Sequence, residues 1–391
     1  MSPVVIVAAR RTPIGAFQGA FGSVAAPELG ATAIKAAVGD AGIDAATISQ
    51  VLVGTVLPAG VGQAPARQAS LGGGIPKSVG CVTVNKVCGS GLQTVIYGND
   101  AIRAGSASIV VAAGMESMSN APYLLPKARA GYRMGHQEVQ DHMFFDGLQN
   151  PYDGRMMGQF GDATAARYGF SRDDQDAFAI RSVERAQAAT AGGAFDAQIA
   201  SVEVTTRKGT TTVSVDEEPG RLDVAKIPSL RPAFSKEGTV TAASSSSISD
   251  GAAALVLMSA DDAENAGLEP LGKIVAHSNF AQEPAWFTTA PSGAIQALHE
   301  RTGWDPDSVD LYEINEAFAC VTMAAMHDCG LTPEQVNING GACALGHPIG
   351  ASGARILVTL LHALSAGSGK RGIASLCLGG GEALAIAVER V

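Results

Sequence analysis

The sequence predicts an α/β protein of two similar halves, with a turn-rich insertion in the first half. Predicted strands and helices alternate, which is typical of layered α/β proteins. A helix-and-strand unit recurs, because the helical segment 91–105 is matched by 353–367, an offset of 262 residues. Glycine supplies 47 of the 391 residues, about 12% against a usual 7% or so, and this favours close backbone packing and many turns.

The first half begins with alternating short apolar strands and helices. Strands are predicted at 4–9, 51–56, 79–87 and 108–113, and helices at 27–41, 67–71 and 92–103. Pro27 in the first turn and Gly42 just past the end delimit the first of these helices. The segment 79–87 is rich in β-branched residues, so we expect a buried strand there.

Residues 118–243 are polar and rich in turns, which predicts an inserted lid or ligand-binding subdomain. One helix is predicted at 173–189, with Ser171 as its N-cap, and regular strands resume at 253–258. In the second half, the repeated helix precedes a buried strand within 372–381, as its counterpart precedes the strand within 108–114. A coincidence among common Ala, Gly and Ser residues is the alternative. The predicted divisions are 1–117 plus 244–268, 118–243, and 269–391.

Composition excludes several classes of function. The formal net charge of -10 argues against a nucleic-acid or anionic-membrane surface, although helix N-termini and arginines could bind an anionic ligand locally. The six cysteines form no CxxC pair, which favours a reducing compartment. No apolar run approaches the roughly 18 residues of a membrane span. We see neither a secretory layout nor a terminal peroxisomal address, and we expect a cytoplasmic protein.

Cys88 is the first candidate for chemistry, in the stretch 83–91 where a predicted strand turns into a helix at Gly89 and Gly91. Free N–H groups and the dipole at a helix N-terminus favour a thiolate. We therefore expect the pKa of Cys88 to lie one or more units below about 8.5. The alternative is an inert, buried cysteine.

Three stretches of the second half contain further polar side chains among small residues. His347 lies in a glycine-rich loop that is the repeat counterpart of the Cys88 elbow, where it could take the thiol proton; the alternative is a surface or satisfied core histidine. Cys377 ends a strand before three glycines whose N–H groups could bind an oxyanion, or it is a core cysteine. The polar triplet within 313–316 stands at the start of an apolar helix, and it is either catalytic or caps that helix. His136, His142, Asp141 and Asp146 could suggest a metal cluster, but we expect a solvated loop.

Four ordered blocks resemble the signature motifs of the thiolases. They are Val87-Cys88-Gly89-Ser90-Gly91, Asn315-Glu316-Ala317-Phe318, Gly346-His347-Pro348-Ile349-Gly350 and Cys377-Leu378-Gly379-Gly380-Gly381. The resemblance spans essentially the whole chain. It implies a five-layered αβαβα fold of two similar halves, with an inserted loop domain that covers coenzyme A.

The resemblance also implies roles for the catalytic residues. Cys88 would be the nucleophile that becomes acylated, His347 would activate it, and Cys377 would move a proton at the α-carbon. His347 with a water held by Asn315 would form one oxyanion hole, and the backbone N–H groups of Cys88 and Gly379 the other. CoA and acyl-CoA would be substrates, with no metal or redox cofactor, and the chain would form a homodimer or homotetramer.

The substrate-binding residues follow from the same resemblance. Residues 244–247 alone could be a low-complexity linker, but Ser246 matches a serine that contacts pantetheine. Arg221 would hold the nucleotide end of CoA. The remaining pocket assignments are Met156, Met157, Phe287, Ala317 and Phe318.

Two departures from the family pattern concern the length of the acyl chain. Met156 stands where thiolases that act on acetoacetyl-CoA usually have histidine, and Phe287 where the family often has methionine. The rest of the chain resembles acetyl-CoA acetyltransferases more closely, so we expect reversible condensation of two acetyl-CoA molecules. The alternatives are a degradative 3-ketoacyl-CoA thiolase of broader chain length and a non-catalytic acyl-CoA-binding scaffold.

Overall fold

The computed structural model describes residues 2–367 and 369–391. The strands are β1 (Val4–Arg11), β2 (Gly15–Ala16), β3 (Gln50–Gly54), β4 (Gly80–Val84), β5 (Val110–Ser117), β6 (Tyr123–Leu124), β7 (Gln140–Asp141), β8 (Val202–Thr206), β9 (Gly209–Val213), β10 (Ser249–Ser259), β11 (Gly272–Ala281), β12 (Leu311–Ile314), β13 (Arg371–Leu378) and β14 (Glu382–Glu389). The α-helices are α1 (Ala26–Ala41), α2 (Pro65–Gly72), α3 (Ser90–Arg103), α4 (Met157–Tyr168), α5 (Arg172–Ala191), α6 (Ala260–Asn265), α7 (Ala290–Thr302), α8 (Ala319–Cys329), α9 (Ala342–Leu345) and α10 (Ser352–Ala366).

The main sheet is divided into two halves of matching strand order. The first half runs β4-β3-β5-β10-β1, and the second runs β12-β13-β14-β11. A parallel bridge from Tyr312 to Val336 stands in the place of β4. The halves meet where β1 pairs briefly with β11. Each half thus has a parallel side and an antiparallel side, which confirms two similar halves.

Helices lie in three layers around these sheets. Helices α3 and α10 contact each other and pack against strands of both halves, so they form the central layer. Helices α1 and α2 cover the outer face of the first half, and α7 and α8 cover that of the second. Because apolar faces of helices and sheets must be buried against another layer, this stacking supplies the core. The five-layered αβαβα fold is confirmed.

The internal repeat has a direct structural basis. Helix α3 begins at Ser90 and α10 begins at Ser352, which keeps the offset of 262 residues. Each helix precedes a strand of 8 residues, β5 in the first half and β13 in the second. Equivalent positions in the two halves therefore adopt equivalent structures, and this equivalence brings the two glycine-rich elbows together.

Strand β4 differs from the prediction. It spans only Gly80–Val84 and is largely exposed, with Val82 at 44% of its full accessibility. The reason is its position at the edge of the sheet, where it pairs with β3 on one side. Its β-branched residues therefore reflect strand propensity and not burial, and the prediction of a buried strand was wrong.

The segment between β5 and β10 holds α4, α5 and two small hairpins, β6–β7 and β8–β9. Helix α5 begins as predicted, because the side chain of Ser171 accepts a hydrogen bond from the N–H of Asp174. The predicted domain boundaries at 117, 243 and 268 stay predictions. Among the described residues, the helices are all too short or too polar to cross a membrane.

Candidate active site

Cys88 lies on a tight elbow between β4 and α3. Val87, immediately before it, has a φ of +47°, a conformation that is costly for a β-branched residue and typical of functional sites. The hydroxyl of Ser90 holds the turn, because it donates to the carbonyl oxygen of Val87 at 2.6 Å and accepts from the N–H of Lys86 at 2.9 Å. The elbow thus presents the Cys88 side chain at the start of the central helix.

The neighbouring residue must be glycine because the two halves touch there. A Cβ at Gly89 would lie 2.6 Å from Cδ2 of Leu378, the last residue of β13. The next residue after β13 is Gly379, and its N–H, like that of Cys88 itself, lies near the Cys88 sulfur and favours the thiolate. These are the two amides predicted to form an oxyanion hole, and the structure brings both to the same atom.

The predicted shift of the Cys88 pKa was wrong in direction. Cys88 packs against an apolar cluster that includes Met118 and Ile349, and burial raises the pKa of its thiol to about 12. The N–H groups of Gly379 and Cys88 favour the thiolate but do not offset this desolvation. The resting residue is therefore a thiol, and it needs a base before it can attack.

His347 is held as a neutral imidazole with one nitrogen free. Its Nδ1 lies 2.5 Å from Oγ of Ser352, and that hydroxyl donates to the carbonyl oxygen of Pro348 at 3.0 Å. With its hydroxyl proton directed to Pro348, Ser352 can accept from Nδ1, so we assign the ring proton to Nδ1. Burial, with a smaller effect of the positive charge of Arg355, lowers the pKa of His347 to about 3.

The second nitrogen of His347 is the proton acceptor of the site. Nε2 is buried and has no hydrogen-bond partner within 2–367 and 369–391. In the tautomer fixed by Ser352, Nε2 bears the lone pair. A buried acceptor without a partner is costly, and such a nitrogen is suited to receive the thiol proton.

Asn315 lies near the same ring nitrogen as Ser352, Nδ1. Its Nδ2 lies 3.4 Å from Nδ1 of His347, and its Oδ1 accepts from Nη2 of Arg355 at 3.4 Å. Its backbone N–H donates to the carbonyl oxygen of Ser375 at 2.9 Å, which ties it to β13. Asn315 therefore lies beside the imidazole, as predicted for a residue that works with it.

The alternative role of the triplet 313–316 as a cap of α8 was wrong. Helix α8 begins at Ala319, and its N-cap Phe318 has no side-chain capping bond. Glu316 instead accepts hydrogen bonds from Oγ of Ser182 at 2.6 Å, Nδ2 of Asn337 at 2.8 Å and the N–H of Cys343 at 3.1 Å. It thereby fixes the loop that leads to His347.

Cys377 is the seventh residue of β13 and is 1% exposed. It belongs to an apolar cluster with Phe160, Phe287, Phe318 and others. Burial raises the pKa of its thiol well above the usual value, and ionisation of Cys88 would raise it further. The two sulfurs thus lie close enough to influence each other, and Cys377 rests as a neutral thiol.

A largely apolar cavity of about 340 Å³ opens beside His347. Met156, Met157, Ser246 and Phe318 are on its wall. Met118 and Ile349 also line it and belong to the cluster against which Cys88 packs. The cavity is therefore lined by His347, by residues that pack against Cys88, and by four of the predicted substrate residues.

The serine run is a structured part of this wall and not a linker. The N–H and Oγ of Ser246 both donate to the carbonyl oxygen of Ala317, each at 3.0 Å. The carbonyl oxygen of Ser247 accepts from the N–H of His347 at 3.1 Å. The run thus links the cavity to the catalytic loop.

Three predicted substrate residues lie elsewhere. Ala317 is buried and its carbonyl oxygen accepts from Ser246, but it does not line the cavity. Phe287 is 3% exposed and packs edge-on against Phe160 with ring centroids 6.0 Å apart, so it lies behind the cavity wall in the cluster of Cys377. Arg221 is on the surface, where Nη1 lies 3.5 Å from Oε1 of Glu217. Neither Phe287 nor Arg221 is part of the cavity lining.

Sequence reasoning missed Ser352, which sets the tautomer of His347. The repeat could have revealed it, because Ser352 lies 262 residues after Ser90, the serine that holds the Cys88 elbow. Ser90 and Ser352 are each the first residue of a central helix. The same position thus organises the nucleophile in one half and the base in the other.

Comparison with known proteins agrees with this geometry. Residues 4–261 match the family model "Thiolase, N-terminal domain", and residues 268–390 match "Thiolase, C-terminal domain". The chain is 48% identical to an acetyl-CoA acetyltransferase of Schizosaccharomyces pombe, covering 99% of both chains, and 49% identical to one of Escherichia coli, covering 100% of both. It also matches the crystal structure of the Acat5 thiolase of Ascaris suum in complex with coenzyme A, with a TM-score of 0.94, 42% identity and complete coverage of both chains. The chain belongs to the thiolase family.

Proposed function

We propose that the protein is an acetyl-CoA C-acetyltransferase, which condenses two acetyl-CoA molecules reversibly to acetoacetyl-CoA and CoA. One observation carries the proposal: the N–H groups of Cys88 and Gly379, one from each half, lie near the same reactive sulfur and favour its thiolate. Such paired donors stabilise the oxyanion of acyl transfer. The full-length relatives named acetyl-CoA acetyltransferase support the same activity.

Acylation begins with proton transfer from the thiol of Cys88 to Nε2 of His347. The thiolate attacks the thioester carbonyl, whose oxygen is held by the N–H groups of Cys88 and Gly379. The C–S bond to CoA breaks, and the leaving thiolate takes the proton of Cys377. Acetyl-Cys88, an imidazolium at His347 and a thiolate at Cys377 remain.

Condensation uses the charges left by acylation. Cys377 removes an α-proton from the second acetyl-CoA, and Nε2–H of His347, with a water held by Asn315, stabilises the enolate oxygen. The enolate carbon attacks acetyl-Cys88, and the bond to sulfur breaks. Cys88 departs as a thiolate and recovers a proton, which gives acetoacetyl-CoA.

The fixed tautomer of His347 leads to a prediction for Ser352. Ser352→Ala removes the acceptor of Nδ1–H, so the proton can shift to Nε2, and kcat is expected to fall about tenfold with little change in KM, for a lost buried hydrogen bond of ~1–2 kcal/mol. Steady-state thiolysis of acetoacetyl-CoA measures this. The matched control is Ser365→Ala on the same helix, whose hydroxyl donates to the carbonyl oxygen of Leu361 and whose loss should leave kcat unchanged. An unchanged kcat for Ser352→Ala would contradict the assignment of the tautomer.

A broader 3-ketoacyl-CoA thiolase is the second candidate, because apolar Met156 is on the wall of the cavity. Methionine adapts to varied shapes, and each buried methylene of a longer acyl chain contributes about 0.8 kcal/mol. We place the activity in the cytoplasm, in fatty-acid metabolism, in a homodimer or homotetramer. A scaffold without turnover is distinguished by acyl-CoA binding in the absence of thiolysis.

Chain-length preference gives a prediction for Met156. The wild-type protein should cleave the C6 3-ketoacyl-CoA with at least about a tenth of its C4 efficiency, and Met156→His should shift the ratio of kcat/KM several-fold towards C4, as expected for a polar contact of ~1 kcal/mol. Thiolysis rates with both substrates measure this. Met134→His, at a methionine that is 90% exposed, is the matched control and should leave the ratio unchanged. A wild-type protein limited to C4, with an unchanged ratio in Met156→His, would contradict the role of Met156 in chain-length preference.

A further inference from the structure

Glu116 is a fully buried carboxylate that binds one segment of the first half and one of the second. It is the seventh residue of β5 and is 0% exposed. Oε1 accepts from Oγ1 of Thr55 at 2.9 Å and the N–H of Leu57 at 3.2 Å. Oε2 accepts from the N–H of Val56 and the N–H of Gly350, each at 2.9 Å. The contact with Gly350 reaches the loop of His347.

The His347 loop is pressed closely against β5 at this point. A Cβ at Gly350 would lie 2.5 Å from Oε2 of Glu116 and 2.8 Å from the carbonyl oxygen of Met115. A Cβ at Gly114 would come within 2.4 Å of the carbonyl oxygen of Gly350. Because backbone meets backbone here, the position of the loop depends on this contact.

The internal repeat shows that the contact has a catalytic equivalent. Gly350 lies 262 residues after Cys88. Glu116 and Cys377 are 261 residues apart and are related by their place in the sheet, since each is the seventh residue of its strand, β5 or β13. Thus the elbow of the first half meets β13 of the second half at Cys88 and Cys377, and the elbow of the second half meets β5 of the first half at Gly350 and Glu116.

We propose that Glu116 is a positioning residue, which sets the place of His347 relative to Cys88 by anchoring Gly350 to the first half. The proposal rests on the proposed function for its kinetic consequence. Glu116 touches no reacting atom and acts through the loop that carries His347.

Glu116 cannot activate the thiol of Cys88 electrostatically, because its charge has the wrong sign. The negative charge of Glu116 raises the pKa of Cys88 and so opposes formation of the thiolate. Burial also disfavours the carboxylate and raises its own pKa to about 7, although the hydrogen bonds from 55–57 and Gly350 work in the other direction. Glu116 therefore contributes by holding the His347 loop in place through Gly350.

Glu116→Gln separates position from charge. The amide of glutamine has only one accepting oxygen. In one orientation its NH₂ faces the N–H of Leu57, and in the other it faces the N–H groups of Val56 and Gly350. In either orientation the hydrogen bonds to one of the two carboxylate oxygens are lost. We expect kcat for thiolysis of acetoacetyl-CoA to fall about 10- to 100-fold with KM nearly unchanged, the scale of a small misplacement of a catalytic group. At the same time, the pH profile of iodoacetamide alkylation of Cys88 should move to lower pH, because a neighbouring negative charge is removed.

A more acidic thiol in a slower enzyme is a combination that general destabilisation would not produce. The control is Asp328→Asn, a carboxylate that accepts from the hydroxyls of Tyr168 and Ser292 in the outer helices, and it should change neither readout. If Glu116→Gln does not fold, Gly350→Ala tests the same contact from the other side and should lower kcat similarly. An unchanged kcat, or an alkylation profile that stays in place, overturns the proposal. A wild-type protein that lacks thiolysis refutes the proposed function instead, whereas an active wild-type protein with an unchanged kcat in Glu116→Gln refutes only the role of Glu116.

Discussion

Cys88→Ser is expected to lower thiolysis of acetoacetyl-CoA by about 10³-fold or more, the scale seen when a nucleophile is removed from a catalytic unit. The pKa of the Cys88 thiol is already raised to about 12, and the pKa of His347 is lowered to about 3. Transfer of the thiol proton to Nε2 is therefore uphill even in the wild-type protein. A hydroxyl is far harder to ionise than a thiol, so the same transfer becomes prohibitive.

Steady-state thiolysis measures this effect, and Cys81→Ser is the matched control. Cys81 lies on β4 and is partly exposed. Its sulfur hydrogen-bonds with Arg67 and the carbonyl oxygen of Val79, and it packs at the edge of the apolar core of the first half. Its replacement should leave the rate unchanged. A Cys88→Ser protein that keeps more than about a tenth of wild-type activity would remove Cys88 from the mechanism.

Cys377→Ala is expected to separate the two half-reactions. Cys88 should still become acetylated, because the contacts of His347 with Ser352 and Asn315 do not involve Cys377, but more slowly, because the leaving CoA thiolate no longer receives the proton of Cys377. Exchange of the α-protons of acetyl-CoA into deuterated water should be lost, since the base that removes them is absent. NMR of the acetyl group and intact mass of the protein measure the two steps.

Cys320→Ala is the matched control for this experiment. Cys320 is a buried cysteine of the same apolar cluster, with its sulfur 3.5 Å from the carbonyl oxygen of Gly161. Its removal creates a comparable cavity and should leave α-proton exchange intact. Unchanged exchange in Cys377→Ala would refute the role of Cys377 as the base.

The layered fold could be predicted because its signals are local or periodic. The offset of 262 residues between the repeated segments marks equivalent positions such as Ser90 and Ser352, and the glycines at both elbows mark where the halves touch. The exposure of β4 could not be predicted, because its β-branched residues have the same strand propensity at an edge as in the centre.

Other parts of the site depend on contacts between distant segments, and local sequence patterns could not predict them. The pKa of Cys88 was predicted in the wrong direction because a helix N-terminus is a local feature, whereas desolvation comes from a cluster that includes Val56, Met118 and Ile349. The anchor at Glu116 is similar, since its donors lie in 55–57 and at Gly350. The motif blocks indicated which side chains carry the chemistry, and the assigned roles stay predictions.

The covalent intermediate on Cys88 is the central claim of the mechanism. Incubation with acetyl-CoA, followed by intact mass and peptide mapping, tests it most directly. We predict a single acetyl group per chain, on the peptide that contains Cys88, and its release when CoA is added. An acetyl group on Cys377, or none at all, would contradict the mechanism.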